Sequence, residues 1–339
     1  MASRPDQVAS TTNGTLTRLK GGSLSGTYLL EAGAYRCVRK TISLEETREY
    51  GFIRWQSQLK RLQRFGQLFP GVFPQVLDVG REGPIAYFDL EYIEHAMSGS
   101  DFLAGNPPEP EVQAYAQALF ETMDKLHAMK RPSCRGALDL YLYEEMERPL
   151  RICCEDSTFR AFLDHPTLVF NGVEIPSIAT VLPDLYRLGE ASWKDPWECY
   201  THGNLTLENT LWVPATRKIW FIDPYEENVT DSVHNEYSQI LQSSHARYEI
   251  CNALPPTVEG NRVTLDIPDV PGIRRFNDLF MVLLGARLSE EEHRLVRLYE
   301  ISQFTRMLPF KLHTSRERMI FFYALASFLA HQLLEDVHG

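Results

Sequence analysis

Apolar and polar positions alternate in period two along Thr15-Leu-Thr-Arg-Leu-Lys20, and the alternation resumes at Thr27-Tyr-Leu-Leu30 and Tyr35-Arg-Cys-Val-Arg-Lys40. Alternation of this kind puts every second side chain on one face, as half-buried strands require. The segment Gly21-Gly-Ser-Leu-Ser-Gly26 and the turn Ala32-Gly33-Ala34 separate the three strands. From Ser43 to about Phe65 the period lengthens. Phe52, Ile53, Trp55, Leu59 and Leu62 recur at helical spacing, and Ser43 with Glu46 has the spacing of a capping box. Val72–Val79 and Ile85–Ile93 read as two further strands. The N-terminal part therefore predicts a small antiparallel sheet with one helix packed on it. The remainder is mostly helical, with helices expected over 111–129, 231–251, 273–286, 289–306 and 315–336. Asn171-Gly172 marks a two-residue hairpin within 167–178, and short strands are expected at 210–213 and 219–222. The fold class is α+β: an antiparallel-sheet N-terminal lobe over 15–93 after a flexible tail at 1–14, then a mostly helical C-terminal lobe over 94–339.

Composition narrows the function classes more than it names one. The chain has 339 residues and a formal net charge of −11. That acidity argues against a dedicated nucleic-acid binder, which needs a basic surplus to neutralise phosphates. The longest apolar run, Ile320–Ala330, is too short to span a bilayer, so no membrane association is expected. The N-terminus lacks the apolar core of a signal peptide. None of the six cysteines forms a Cys-x-x-Cys pair. Reduced thiols and a cytoplasmic location follow as expectations. Neither Gly-x-Ser-x-Gly nor His-Glu-x-x-His occurs, which disfavours serine hydrolases and zinc proteases.

The chemistry concentrates in Thr201-His-Gly-Asn-Leu-Thr-Leu-Glu-Asn-Thr-Leu-Trp212 and Ile219-Trp-Phe-Ile-Asp-Pro-Tyr225. A polar loop leads into an apolar strand, a turn, and a second apolar strand that ends in an acid. A tight hairpin would bring Asn209 and Asp223 together. An amide oxygen and a carboxylate are both hard donors, suited to Mg²⁺ carrying nucleotide phosphates. Phosphoryl transfer asks a protein mainly for such positioning and charge neutralisation.

These segments resemble the aminoglycoside phosphotransferase and choline kinase-like superfamily, small-molecule kinases with the protein-kinase-like fold. Its pattern, His-Gly-Asp-x-x-x-x-Asn followed by Ile-Asp, stands here as His202-Gly203-Asn204-x-x-x-x-Asn209 and Ile222-Asp223. The order of a Gly-rich hairpin, a strand lysine, a helix, a hinge strand and a helical lobe agrees, as does Leu126-His127. The resemblance implies ATP and Mg²⁺ as cofactors and a two-lobed fold. It implies Asn209 and Asp223 as metal ligands and His202 as a support of the loop. Lys40 would hold the α- and β-phosphates; Val38 and Lys40 share a face opposite Arg39, its neighbouring competitor. Glu49 is the favoured helix partner of that lysine, with Glu45 and Glu46 as alternatives. Gly22, Ser23 and Ser25 would approach phosphate, and Glu91 and Ile93 would meet adenine through their backbones.

Asn204 departs from the family, which places there the aspartate that takes the acceptor proton. An amide keeps the size and an acceptor oxygen but is a poor base, and a general base contributes roughly 10²–10⁴-fold. Two readings compete: an engineered or conservative variant of an active kinase, or a natural pseudokinase that binds nucleotide without turnover. A protein substrate is disfavoured by Gly203 in place of the usual arginine and by the lack of a recognisable activation-loop ending. The expected acceptor is a small-molecule hydroxyl, with a sugar or polyol preferred. Acceptor candidates are Glu226, Ser243, His245, Arg247, Tyr248, Arg306 and Lys311. The continuation Asp223-Pro224-Tyr225 differs from the pattern of antibiotic kinases and weighs against an aminoglycoside.

Overall fold

The computed structural model describes residues 14–19, 26–45, 49–134, 136–193, 197–225 and 228–338. The chain divides into two compact units, Met1–Met97 with Asn209–Glu226, and Ser98–Glu208 with Glu227–Gly339. The chain thus leaves the first unit and returns to it for one short hairpin.

In the first unit, strands β1 (Thr15–Arg18), β2 (Gly26–Ala32), β3 (Tyr35–Ser43), β4 (Val76–Glu82) and β5 (Ile85–Glu91) form one sheet in the order β1-β2-β3-β5-β4. Every neighbouring pair is antiparallel. Helix α1 (Glu49–Leu68) buries Trp55, Leu59, Leu62 and Phe65, residues at helical spacing on one face. The Trp55 ring meets Phe88 of β5 at 5.2 Å between centroids. Two boundaries differ from the sequence pattern. Ser43 does not cap a helix: it pairs with Ile85 at the end of β3, and Leu44 N–H donates to the Pro84 carbonyl, so the ladder holds this stretch extended. Its expected capping partner, Glu46, lies outside the described residues. Val72 and Phe73 are buried, yet precede β4 rather than begin it. The Val72 carbonyl instead accepts from Phe221 N–H at 2.8 Å.

The second unit is built on the helices Glu109–His127, Ile178–Ser192, Val233–Ser244, Pro271–Gly285, Glu290–Thr305 and Arg316–His338. Its core gathers Tyr141, Phe159, Leu185, Tyr299, Phe304 and Phe322 among others. The expected 167–178 hairpin is present, with Phe170 opposite Val173 and positive φ at Asn171 (47°) and Gly172 (87°). Two positive φ angles in a two-residue turn match the twist of the flanking strands. That hairpin joins a second one, Thr257–Glu259 with Arg262–Thr264, in a four-stranded sheet. The single helix expected over 231–251 is broken. Arg247 takes a left-handed φ of 54°, and a new helix, Tyr248–Ala253, begins there. The stretch Arg316–Val337 is long and apolar enough to cross a bilayer by length and composition, but 61% of it is buried within the protein. All six cysteines are free thiols.

Candidate functional site

The two faces of β3 carry two cations with different employment. Arg39 makes a bidentate pair with Asp89 of β5 at 2.8 and 2.9 Å, reaches Glu82 at 3.0 Å, and lies 3.9 Å from the Tyr87 ring centroid. The Asp89 contact holds the arginine firmly in its charged form, above its ordinary pKa. Lys40, one residue on, points the other way. Its ammonium donates to Gln58 Oε1 of α1 at 3.3 Å and pairs with the Asp223 carboxylate, and the residue is only 5% exposed. Gln58 was not singled out from sequence. The signal was available: it stands three residues after Trp55 and one before Leu59, a polar residue beside the inward stripe.

Asp223 belongs to the same unit because Thr210–Val213 and Lys218–Phe221 form a hairpin, with Thr210 opposite Phe221. Beyond its open end, Ile222 N–H donates to the Asn209 carbonyl at 2.9 Å. That bond places Asn209 beside Ile222 and hence next to Asp223 along the chain. Asp223 has a φ of 58°, a conformation uncommon outside glycine and several-fold enriched in aspartate. Tyr225 follows, its ring 4.9 Å from the Arg54 guanidinium of α1. An amide and a carboxylate brought together at a hairpin end, with a lysine on the carboxylate, suit a hard divalent cation with phosphate oxygens. Gly22, Ser23, Ser25 and Glu226 lie outside the described residues, as does the side chain of Glu49. Glu91 N–H donates to the Gln75 carbonyl at 2.8 Å, so that amide is committed inside the lobe. The Ile93 carbonyl accepts from Ala96 N–H at 3.4 Å.

In the second unit the loop around Asn204 is held by one face of the helix Val233–Ser244. Glu236, Gln239 and Ser243 stand three and four residues apart, so they share that face. All three are buried. One Glu236 oxygen accepts from His202 N–H, and the other pairs with the His127 imidazole. Gln239 accepts from Leu205 N–H at 2.6 Å and donates to the Gly203 carbonyl at 3.0 Å. Ser243 accepts from Leu207 N–H at 3.1 Å and donates to Glu249 at 2.6 Å. Asn204 N–H donates to His202 Nδ1 at 3.2 Å, and Thr206 N–H to the Asn204 carbonyl at 3.0 Å. The histidine is thus a fully buried loop support whose Nδ1 accepts. Gly203 turns the chain with a φ of 86°, which only a residue without Cβ adopts freely. Glu236 and Gln239 went unassigned in the sequence reading. A buried helix with acid, amide and hydroxyl on one face must satisfy them internally, and a polar loop is a natural partner.

Among the described acceptor candidates, Tyr248 and Lys311 share the Phe322 ring, while His245 and Arg247 have partners elsewhere. His245 Nδ1 meets Glu300 Oε1 at 2.7 Å, and Arg247 reaches the Pro268 carbonyl at 3.0 Å and Asp269 at 3.4 Å. Tyr248 packs on Phe322 at 6.0 Å between centroids, and Lys311 donates to Asn252 Oδ1 at 2.7 Å. Arg306 is half-buried within electrostatic reach of Glu145 and Tyr248.

No protein-family model matches the chain, and no curated protein matches it in sequence. Solved structures do. A Haemophilus somnus 129PT protein assigned as a fructosamine-3-kinase matches with a TM-score of 0.53 at 13% identity, covering 94% of this chain and 91% of its own. The GDP complex of an aminoglycoside 2′-phosphotransferase-IIIa point mutant matches with a TM-score of 0.55 at 16% identity, covering 96% and 91%. The likeness is one of fold, an antiparallel-sheet region followed by a helical region.

Proposed function

We propose that the chain is an ATP-dependent phosphotransferase that moves the γ-phosphate to a hydroxyl of a small molecule, a sugar or polyol by preference. The observation that carries this reading is the Lys40–Asp223 pair at the hairpin end that also bears Asn209. A buried lysine, an acid and an amide at one place are the groups needed to hold a metal-bound triphosphate. The neighbours in fold, one assigned as a sugar-amine kinase and one an antibiotic kinase, support the same class. Asn209 and Asp223 would hold Mg²⁺, which when bound supplies positive charge to the phosphate oxygens. Lys40 would exchange its carboxylate partner for phosphate oxygens. Asn204, on the loop of the second unit, would orient the acceptor hydroxyl. Its amide orients but takes up no proton, so turnover of this chain is expected to be slow.

Asn204 also favours a second reading, a nucleotide-binding pseudokinase. Converting Asn204→Asp separates the two. We expect ATP consumption with a panel of sugars and polyols to rise about 10²–10⁴-fold, the usual contribution of a general base. Binding of MgATP with no turnover by Asn204→Asp on any acceptor of the panel would favour the pseudokinase. Failure of the unaltered chain to bind MgATP would overturn both.

A further inference from the structure

The second unit contains two cations that its acidic surroundings leave uncompensated. Lys311 is 7% exposed, and its ammonium donates to a neutral group, the Asn252 amide oxygen, at 2.7 Å. Arg318 is half-buried. Its Nη2 reaches the Leu254 carbonyl at 3.5 Å, and its Nε–H is buried with no acceptor. The anchors, Asn252 and Leu254, are two residues apart, so both cations converge on one short segment. No carboxylate among the described residues forms an ion pair with either. Burial first and the charge of Arg318 second lower the lysine below its ordinary pKa.

This is an unusual economy for a chain with eleven surplus negative charges. Burying an unpaired charge costs several kcal/mol, on the order of the penalty for one desolvated ion, and an unmet buried N–H adds to it. The repulsion of the second cation adds to the cost. Such a pair is tolerated where an anion completes it, and a guanidinium with a free N–H beside an ammonium suits a tetrahedral or planar oxyanion. The place borders a solvent-facing ring. The ammonium lies 5.6 Å from the ring centroid of Phe310, which is half exposed, and 5.4 Å from that of buried Phe322. It also borders the loop support. Phe322 carries Tyr248 as well, and Tyr248 is followed by Glu249, which accepts from the Ser243 hydroxyl that holds Leu207.

We propose that Lys311 and Arg318, with the Asn252 amide, form a binding site for an oxyanion, a phosphate or carboxylate group. Two sources share this chemistry: an anionic group on the acceptor, which rests on the phosphotransferase reading, or a free inorganic anion, which does not. The test is calorimetric titration of the full chain with inorganic phosphate at constant ionic strength set by chloride. Saturable binding is expected, weakened at least tenfold by Lys311→Met and by Arg318→Met, and restored within about threefold by Lys311→Arg. MgATP affinity, measured separately, should stay unchanged in these variants, which separates this site from any phosphate bound at Lys40. Glucose 6-phosphate and glucuronate form the second arm. If either binds more tightly than inorganic phosphate and loses that advantage in Lys311→Met, the anion belongs to the acceptor. If inorganic phosphate binds more tightly than both, the site takes a free anion. Absence of saturable anion binding in the unaltered chain, or binding indifferent to all three variants, overturns the site. Neither result touches the nucleotide reading, which MgATP binding alone decides.

Discussion

The candidate site residues of the two units are held in different ways. In the first unit, charge holds charge: Lys40 on Asp223, and behind it Arg39 on Asp89 and Glu82. In the second, the loop is held mainly through backbone amides, by an acid, an amide and a hydroxyl on one helix face. A charge-held site can be remade when a ligand brings its own charges, because the lysine can trade one oxyanion for another. A loop held by its backbone keeps its path largely independently of the side chain at Asn204, so a substitution there changes chemistry before it changes geometry. The sharpest way to break this comparison is Asp223→Ala. It removes the lysine's carboxylate and the proposed acidic metal ligand together. We expect Mg²⁺-dependent ATP binding to vanish in calorimetric titration; a titration curve unchanged from the original chain would remove Asp223 from the site.

The neighbouring cation tests whether all charge in the first unit serves the ligand. Asp89→Ala leaves Arg39 in the sheet with Glu82 alone. Breaking a buried pair by removing one partner costs about 3–5 kcal/mol. Urea unfolding should show a loss of that size, with MgATP affinity intact in the folded fraction. Weakened nucleotide binding at unchanged stability would mean that Arg39, not Lys40, is the site cation.

Much of this was legible in the sequence because it depends on period. Strand alternation alone separates Val38 and Lys40 from Arg39, and the structure sets those residues on the two faces. The 167–178 hairpin was legible because Asn-Gly permits two consecutive positive φ angles. What was not legible depends on tertiary choice. Nothing local tells Ser43 that it will complete a ladder with Ile85 rather than cap a helix. Nothing local breaks the helix at Arg247, which adopts a left-handed φ without being glycine. Gln58 and Gln239 are ordinary helix residues by propensity, and their partners lie on elements far away in sequence. The same limit holds for His245, whose Nδ1 partner, buried Glu300, lies 55 residues on.

The backbone grip of the second unit can be graded on its own helix face. Gln239→Met keeps the length of the side chain and removes both hydrogen bonds. It strips Leu205 N–H of one acceptor and the Gly203 carbonyl of one donor, both on buried residues. An unmet buried polar group costs about 1–3 kcal/mol. Ser243→Ala, one turn on, removes the acceptor of Leu207 N–H and the donor to Glu249, whose half-buried carboxylate water can satisfy, so it should cost less, about 1 kcal/mol. The two substitutions should therefore rank, glutamine above serine, in urea unfolding and in local amide exchange at Leu205 and Leu207. On an Asn204→Asp background the same ranking should appear in kcat while the KM for ATP stays constant, because the helix face sets the path of the loop that carries residue 204. Equal losses in kcat and in global stability, with no local change in exchange at Leu205, would reduce Gln239 to a packing residue and leave the loop held by Glu236 and His202 alone.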